Sequence, residues 1–366
     1  MKPKVFFFIN SIKQARCVRR VQEFIEAGYP TEIYAFDRSD DNRKLPDIDA
    51  RIIGCIQNGT GYLGRIRMMR NAINALNLEC DNNNTIYYLF NFDVAMAFLS
   101  LHLLDKAKYL YEVSDLAELT ISNPLIRFAI VCINKRMMKG AMLNVFTSNG
   151  FRDFYKDIPL NQISVIPNRI SPLCPSTGDI NRSIEGKEII KIGFVGIIRF
   201  KTTLNFAIVI SECFPNIELH LYGIISKGDE DAIKIEALCE KYKNIIYHGA
   251  YENPKDLPSI YNNIDMVLSA YPPTPGVIYA EPNKLYEAIY YRCPIIVGCN
   301  TFLGRKVQEL NIGYVIDAMN RDAIKLFLRN INEKEYQDKV NCCSAIPQKE
   351  CININDDFFK KLQTIW

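Results

Sequence analysis

Short apolar runs alternate with stretches in which apolar residues recur every three or four positions, and this pattern continues along most of the chain. The runs VFFFIN (5–10) and KYLYEVSD (108–115) are typical of strands, whereas residues 16–27 have the periodicity of an amphipathic helix. The same alternation resumes at IIKIGFVG (189–196) after an interruption. Strands that alternate with helices favour a parallel sheet with helices on both faces. The pattern therefore predicts an α/β protein with two doubly wound parallel sheets.

The interruption, residues 171–187, is rich in Pro, Gly and Ser and predicts a linker between two domains. We expect a Rossmann-like N-terminal domain over residues 1–170 and a Rossmann-like C-terminal domain over residues 188–350. The amphipathic segment 351–366 predicts a helix that packs back on the N-terminal domain. Two similar α/β domains in tandem are expected to face each other across a cleft. Ligands of open parallel sheets bind beyond the carboxyl ends of the strands, so we expect the binding residues in the loops that follow the strands.

Composition narrows the class of protein. The 366 residues are 48% hydrophobic and 23% charged, as in soluble globular proteins, and no apolar run is long enough to predict a membrane span. The twelve cysteines include no CxxC pair, so we expect reduced thiols in a cytoplasmic protein and no metal site. Residues 1–170 hold 22 basic and 17 acidic residues. This excess is too small for a nucleic-acid-binding protein, but it suits phosphates or an anionic membrane surface.

The loop after the predicted strand GFVG contains candidate phosphate ligands. Gly196 lets the backbone approach a ligand closely, while Arg199 and Lys201 supply positive charge. The loop does not have the P-loop spacing GxxxxGK[ST]. It predicts either a binding site for a diphosphate or a basic turn in solvent.

The stretch EPNKLYE (281–287) places charged and amide side chains at the predicted start of a helix. The first-turn amides around Lys284 and Leu285 are expected to be free to bind an anion, and the Lys284 ammonium adds positive charge there. Glu287 lies one turn after Asn283 on the same helical face, where a carboxylate can accept hydrogen bonds from both hydroxyls of a ribose diol. The alternative is an ordinary helix start with acidic residues and an incidental lysine.

These motifs follow one another in a characteristic order. This order resembles the C-terminal half of GT-B-fold glycosyltransferases of family 4. It consists of the strand followed by G-x-x-R, then IELHLYG (217–223), the segment 244–271 and EPNKLYEAIYYRCPIIV (281–297). The P-N-K-L-[FY]-E signature is similar to that of members that make bacterial capsules and other surface polysaccharides. The resemblance covers residues 189–317 well and the first half more loosely, through YLYEVSDL and ISVIPNRI.

The resemblance implies roles on the donor side. Glu287 matches the second glutamate of the family's E-x7-E motif, which holds the donor ribose. The first glutamate falls at Tyr279, and Glu281, two residues later, is a candidate substitute. The segment 249–252 would lie near the nucleobase, and Arg199, with Lys201 or Lys284, would hold the diphosphate. The expected donor-binding residues are Gly196, Arg199, Lys201, Gly249, Tyr251, Glu281, Asn283, Lys284, Leu285 and Glu287.

The resemblance also implies roles on the acceptor side. Asp115 matches an acidic loop residue beside the reaction centre, so Asp115 and Arg199 are the expected catalytic residues. The position before Asp115 is a histidine in many members but Ser114 here, and no catalytic histidine is assigned. Asn10 and Ser11 stand where many members have a glycine-rich loop. The expected acceptor-side residues are Asn10, Ser11, Arg16 and Arg19.

The function that the resemblance implies is sugar transfer from a nucleotide-diphosphate sugar to a glycan or polyprenyl-linked acceptor in surface or capsular polysaccharide synthesis. Retention at the anomeric carbon is implied, with neither metal nor cofactor. Two predicted helices combine basic residues with Met and Ile: GRIRMMRNAINAL (64–76) and INKRMMKGAM (133–142). Each is equally compatible with lying on the inner membrane surface and with packing on the sheet.

Two further functions remain as alternatives. One is a non-hydrolysing nucleotide-sugar 2-epimerase, which shares the two-domain architecture and requires carboxylates and histidines around the sugar. The chain has only three histidines, predicted within an apolar helix and strands. The other is a non-catalytic partner that binds sugar nucleotides.

Overall fold

The computed structural model describes residues 2–38, 46, 48–57, 60–78, 80, 84–175 and 181–366. The chain forms two compact units. One contains the residues up to Ile166 together with Asn355–Trp366, and the other contains Pro167–Ile354.

The described part of the first unit is a parallel sheet covered by helices. Its strands are β1 (Lys4–Ile9), β2 (Thr31–Arg38), β3 (Arg51–Ile56), β4 (Thr85–Phe90), β5 (Tyr109–Val113), β6 (Leu143–Phe146) and β7 (Ile163–Val165). Its α-helices are α1 (Ala15–Glu26), α2 (Tyr62–Asn74), α3 (Asn91–Ser100), α4 (Pro124–Gly140), α5 (Asn149–Phe154) and, from the end of the chain, α13 (Asp356–Ile365). The strand order is β3-β2-β1-β4-β5-β6-β7, with parallel pairing throughout.

Continuous apolar sequence explains the central position of β1, since a strand covered on both faces needs apolar residues on both. Val5, Phe7 and Ile9 are fully buried in one hydrophobic core. Phe24 of α1 packs against Phe358 of α13 in the same core, with ring centroids 5.7 Å apart. The C-terminal helix therefore completes the core of the first unit.

The second unit repeats the architecture with six described strands. These are β8 (Ile190–Val195), β9 (Ile217–Tyr222), β10 (Ile245–Gly249), β11 (Met266–Ser269), β12 (Ile295–Gly298) and β13 (Gly313–Ile316). The α-helices are α6 (Lys201–Cys213), α7 (Glu230–Lys241), α8 (Leu257–Asn263), α9 (Asn283–Tyr290), α10 (Phe302–Leu310), α11 (Arg321–Arg329) and α12 (Glu333–Ala345). The strand order β10-β9-β8-β11-β12-β13 runs outward from β8 in both directions, as in Rossmann-like sheets.

The chain passes between the units after Ile166, earlier than the expected linker, and the described part of residues 171–187 belongs to the second unit. The buried guanidinium of Arg182 donates to three backbone oxygens there, those of Tyr261, Ile264 and Tyr291, at 2.7–2.8 Å. A composition rich in Pro, Gly and Ser indicates a break in regular structure, but it does not reveal that one arginine fixes the segment to a core.

The predicted fold class, two doubly wound parallel-sheet α/β domains, is confirmed. Because the strands are parallel, the loops that follow them gather at one edge of each sheet. Among the described residues, no helix combines the length and the apolar character needed to cross a membrane.

Candidate functional site

At the carboxyl edge of the second sheet, the loop after β8 meets the start of α9. Gly196, directly after β8, has a φ of 139°, a conformation that side-chain-bearing residues rarely adopt. A Cβ built on Gly196 would lie 3.0 Å from Nζ of Lys284, the second residue of α9. The fold therefore brings together two residues that were assigned to the donor diphosphate from distant parts of the sequence.

Gly223, the residue after β9, makes the close approach of these loops possible. Its φ is 137°, and a Cβ there would lie 1.7 Å from the carbonyl oxygen of Gly196. Only glycine lets two backbones come this close. The amide of Gly223 in turn donates to the carbonyl of Gly249 at 2.7 Å. The backbone thus links the ends of β8, β9 and β10 and places Gly249 at the same edge as Gly196.

The Lys284 ammonium lies among groups that keep it charged. Burial lowers its pKa, but the Glu287 carboxylate one turn away and the Tyr251 and Tyr271 phenols more than offset this effect, so the pKa is raised. Lys284 also donates to Oδ1 of Asn283 at 3.2 Å. A charged, half-buried lysine in the first turn of a helix is well suited to bind a phosphate.

Glu287 is 1% exposed and accepts hydrogen bonds from the Tyr261 hydroxyl at 2.8 Å and from Nδ2 of Asn283 at 2.6 Å. Each carboxylate oxygen has a second lone pair. The two donors therefore orient Glu287 and leave it able to accept hydrogen bonds from a diol. Asn283, a predicted donor-binding residue, acts here by fixing the carboxylate.

The start of α9 corrects one expectation. Pro282 is the N-cap and Asn283 is the first helical residue. The amide of Leu285 donates to the Pro282 carbonyl at 3.2 Å, so this amide is not free for an anion as the sequence suggested. The Leu285 side chain is fully buried in the hydrophobic core. Leu285 therefore anchors the helix.

The other two basic residues of the predicted phosphate site lie differently. Arg199 is exposed, and its guanidinium lies 4.5 Å from the centroid of the Phe200 ring. Lys201 begins α6, and its Nζ lies 3.9 Å from a carboxylate oxygen of Asp231. Lys284, rather than Lys201, therefore accompanies Gly196, while Arg199 lies on the exposed loop beside them.

Glu281 is engaged within the second unit. Its side chain is buried, forms an ion pair with Lys306 and accepts a hydrogen bond from the Tyr286 hydroxyl. These contacts favour a structural role. Its substitution for the glutamate missing at Tyr279 stays a prediction.

The carboxyl edge of the first sheet carries the acceptor-side candidates. Asn10 and Ser11 follow β1 and are buried. Ser114, directly after β5, donates a hydrogen bond to Oδ1 of Asn91, the first residue of α3. Asp115 comes next and reaches solvent. Because β1, β4 and β5 are neighbours in the sheet, these polar residues lie at adjacent strand ends.

A second carboxylate, that of Asp93, accompanies Asp115. Burial and the neighbouring Asp115 raise the pKa of Asp93 to about 6, although Arg65 lowers it. Desolvation also raises the pKa of Asp115, against the attraction of Arg16 and Arg65, even though the side chain reaches solvent. A carboxyl group with a pKa near neutrality can exchange a proton with a substrate hydroxyl. The edge therefore combines hydrogen-bonding, acidic and basic groups.

Arg16, a predicted acceptor-side residue, is held by the buried Glu112. Its Nε lies 3.0 Å from one carboxylate oxygen of Glu112, and Nε of Arg20 lies 3.2 Å from the other. Arg16 also attracts Asp115. This ion-pair network positions Arg16 at the edge. Arg19 lies on the same helix and is partly exposed.

Several residues around the two edges were missed from the sequence: Tyr62, Arg65, Asp93, Tyr261 and Tyr271. A signal existed for the first two, because GTGYLG (59–64) follows β3 and has the spacing G-x-G-x-x-G that opens some ligand-binding helices. For Asp93 the signal was its place directly after a buried strand. Tyr261 and Tyr271 had no local signal, since only the fold brings them to α9.

The three histidines and the acidic residues Asp229, Glu230 and Asp231 make contacts that stabilise the fold or lie in solvent. His220 Nδ1 and His248 Nε2 are 2.9 Å apart, and His220 Nε2 is 2.9 Å from Glu218. His102 follows α3 and is exposed, not within an apolar helix as expected. Asp229 caps α7 by accepting from the Ala232 amide at 2.9 Å. In the part of the chain that the structure describes, no group of three or more His, Cys, Asp and Glu side chains is arranged to hold a metal ion.

Neither a protein-family model nor a curated protein matches the chain by sequence. Solved structures match it by fold. Sucrose-phosphate synthase from Thermosynechococcus elongatus has a TM-score of 0.69 and 14% identity, with 99% of this chain and 100% of that chain covered. HepE from Anabaena, solved with UDP and glucose, has a TM-score of 0.65 and 14% identity, with coverages of 99% and 100%. The lipopolysaccharide outer core galactosyltransferase WaaB has a TM-score of 0.60 and 14% identity, with coverages of 99% and 98%.

These neighbours are GT-B glycosyltransferases, and the likeness extends over both units. The chain therefore has the GT-B fold, built from two Rossmann-like units.

Proposed function

We propose that the protein is a glycosyltransferase that transfers a sugar from a nucleotide-diphosphate sugar to a hydroxyl of a glycan or polyprenyl-linked acceptor. The observation that carries this proposal is the contact between Lys284 and Gly196 at the start of α9, one turn before the oriented carboxylate of Glu287. The arrangement offers a cation and a helix N-terminus to a diphosphate, and an acceptor of hydrogen bonds to a ribose. GT-B neighbours such as HepE, solved with UDP and glucose, support the same function.

The mechanism follows from charge. Cleavage of the bond between sugar and diphosphate increases the negative charge on the departing diphosphate. Lys284 and the amino end of α9 stabilise that charge, and Arg199 supplies a second cation from its exposed loop. Glu287 holds the ribose and thereby fixes the position of the diphosphate relative to these groups. Because protein groups supply the positive charge, we expect transfer without a metal ion.

Acceptor binding is assigned to the first unit. Asp115 accepts a hydrogen bond from the attacking hydroxyl. Burial raises the pKa of Asp115, and the Arg16 and Arg65 guanidinium groups lower it. The similarity of the sequence to family 4 supports retention at the anomeric carbon and a role in surface or capsular polysaccharide synthesis. We propose that the transfer takes place in the cytoplasm, with the protein in peripheral contact with the inner membrane surface.

A second candidate is a non-catalytic protein that binds nucleotide sugars. It is favoured by Tyr279 at the position of the first family glutamate and by the engagement of Glu281 with Lys306. A 2-epimerase gains no support, because His220 bonds to both His248 and Glu218 within the sheet.

A mass-spectrometric screen of nucleotide-diphosphate sugars separates these functions. The wild-type protein is expected to transfer or slowly hydrolyse one donor, and Lys284→Ala to reduce the rate by about 10²-fold. Lys243→Ala, which removes an exposed lysine elsewhere in the second unit, is the matched control and should keep full activity. Inversion at C2 would instead indicate an epimerase, and binding without turnover of any donor would indicate a non-catalytic partner.

A further inference from the structure

His248 lies at an irregularity of β10. The regular pairing of β10 with β9 reaches Tyr247 and resumes one residue late at Gly249, which pairs with Tyr222. An extra residue of this kind has no partner of its own on the neighbouring strand, and its side chain is turned in a new direction. The His248 ring stacks on the Tyr222 ring, with centroids 4.2 Å apart, and bonds to His220. The irregularity therefore adds a histidine to a polar cluster on the sheet.

Three side chains of this cluster are joined by hydrogen bonds in a row. Nε2 of His220 lies 2.9 Å from a carboxylate oxygen of Glu218, and Nδ1 of His220 lies 2.9 Å from Nε2 of His248. Because a carboxylate only accepts, Nε2 of His220 carries a hydrogen and donates it to Glu218. Nδ1 of the neutral His220 ring then accepts a hydrogen bond from Nε2 of His248. The row of bonds therefore fixes the tautomers of both neutral rings.

This arrangement has room for one added proton but not for two. A proton on Nδ1 of His248, which is exposed, leaves both bonds as they are. A proton on Nδ1 of His220 reverses the bond between the rings, and His248 then accepts. With both rings protonated, two N–H groups face each other and two cations lie side by side. The second proton therefore breaks the bond between His220 and His248.

The groups that act on the pair come from the neighbouring elements. They are Lys191 from β8, Glu218 and Tyr222 from β9, Asn263 from α8 and Asp265 after it. Burial lowers the pKa of both histidines, and Lys191 adds to this effect. The carboxylates of Glu218 and Asp265 offset it only in part for His220. The pKa of each histidine therefore lies below the ordinary 6.5, so the bonded pair is neutral at pH 7.5.

The residues beside the pair hold the edge to which the diphosphate is assigned. The carbonyl of Tyr222 accepts from the Gly196 amide at 2.8 Å, and the carbonyl of Gly249 accepts from the Gly223 amide at 2.7 Å. If His248 leaves the cluster, Tyr222 loses the ring that stacks on it, and the end of β10 at Gly249 loses a side-chain anchor. Both changes loosen the backbone that positions Gly196.

We propose that the His220–His248 pair is a proton-operated switch, in which the second proton releases His248, loosens the end of β10 and weakens the binding of a nucleoside diphosphate. The sign follows from linkage. The released form binds protons more tightly than the bonded form, so the bonded form is favoured above pH 6.5 and is lost as the pH falls below it. The effect on the nucleotide rests on the proposed function, whereas the release of His248 does not.

Nuclear magnetic resonance of the full chain, with ¹³C at the histidine Cε1 positions, tests the release without nucleotide. The wild type should titrate the pair in two separate steps, the second below pH 6.5. The backbone amides of β10 should exchange faster with solvent once that step is complete. Glu218→Gln removes the carboxylate that favours the protonated His220, so both steps should move to lower pH. Two rings that titrate independently, or steps that Glu218→Gln leaves unchanged, would overturn the proposal.

Calorimetry with UDP and GDP at pH 7.5 and pH 5 tests the effect on binding. His248→Gln keeps an N–H group that can donate to His220 and removes the second proton site. The affinity of the wild type relative to this variant should be near one at pH 7.5 and fall about tenfold at pH 5. The ratio cancels the titration of the nucleotide and of other side chains.

The matched control is His102→Gln, which removes an exposed histidine of the first unit. It should follow the wild type at both pH values. A ratio of wild type to His248→Gln that is the same at both pH values would contradict the switch. Absence of nucleotide binding at either pH would instead count against the proposed function, and the resonance titration would still decide whether His248 is released.

Discussion

Nζ of Lys284 lies so near the backbone of Gly196 that a Cβ on the glycine would be 3.0 Å from it. The contact joins the loop after β8 to the first turn of α9. A side chain at position 196 would occupy the space that the Lys284 ammonium reaches. In the proposed function, the same space admits a phosphate to the ammonium.

The variant Gly196→Ala tests this contact. The added methyl group would displace the Lys284 ammonium, and the φ of 139° would strain the alanine. We expect the affinity for a nucleoside diphosphate, measured by calorimetry, to fall about tenfold or more. Gly61→Ala is the control, because Gly61 has a φ of −61° and no atom within 4 Å of the added Cβ. Wild-type affinity in Gly196→Ala would show that the phosphate binds elsewhere.

Glu287 is expected to recognise the ribose. The test compares the affinity of the protein for a nucleoside diphosphate with its affinity for the 2′-deoxy form, starting with UDP and GDP. The wild type should bind the ribose form about tenfold more tightly, because one hydrogen bond to a charged group contributes about this much to affinity. Glu287→Gln should lose this preference. Tyr261→Phe, which keeps the carboxylate but removes one of its donors, should retain it. A Glu287→Gln variant that still discriminates between the two sugars is incompatible with this role.

Arg182 is expected to contribute strongly to stability. Its replacement by alanine leaves three buried backbone oxygens without their donors. Each such acceptor costs about 1–3 kcal/mol and the losses overlap, so we expect the free energy of unfolding of the second unit to fall by about 3–5 kcal/mol. Urea denaturation measures the change, with the exposed Arg329→Ala as control. A loss below about 1 kcal/mol would mean that the segment around Arg182 is not fixed as described.

The raised pKa of Asp93 predicts that the free energy of unfolding depends on pH. Its pKa is raised from 3.8 to about 6 in the folded state. The folded protein therefore binds this proton more tightly than the unfolded chain, and the stability that it contributes is present below pH 4 and lost as the pH rises through 6.

Asp93→Asn mimics the protonated group. Its free energy of unfolding should exceed that of the wild type by about 1–3 kcal/mol at pH 8, and the difference should disappear near pH 4. Chemical denaturation across this range measures the effect, with the exposed Asp105→Asn as control. A difference that is the same at both pH values would exclude the raised pKa as its cause.

Local sequence predicted much of the architecture. The run KVFFFI needs no long-range information to be assigned as a buried strand, and EPNKLYE marks a helix start. Gly196, Lys284 and Glu287 are predicted as donor-binding residues because each belongs to a short motif beside a strand, and their role stays a prediction.

The remaining features depend on contacts between residues far apart in sequence. Arg182 lies in a segment typical of a linker, and only the folded unit supplies its three carbonyl partners. Asp93 acquires its raised pKa from burial and from Asp115, beyond the reach of any local pattern. The bond between His220 and His248 likewise follows from the pairing of β9 with β10.

The binding of a diphosphate by Lys284 and of a ribose by Glu287 can be seen in a crystal structure with a bound nucleoside diphosphate. We expect diphosphate oxygens within hydrogen-bonding distance of Nζ of Lys284, above Gly196, and ribose hydroxyls that donate to the Glu287 carboxylate. A nucleotide bound elsewhere, with no contact to Lys284 or Glu287, would show that these residues do not form the donor site.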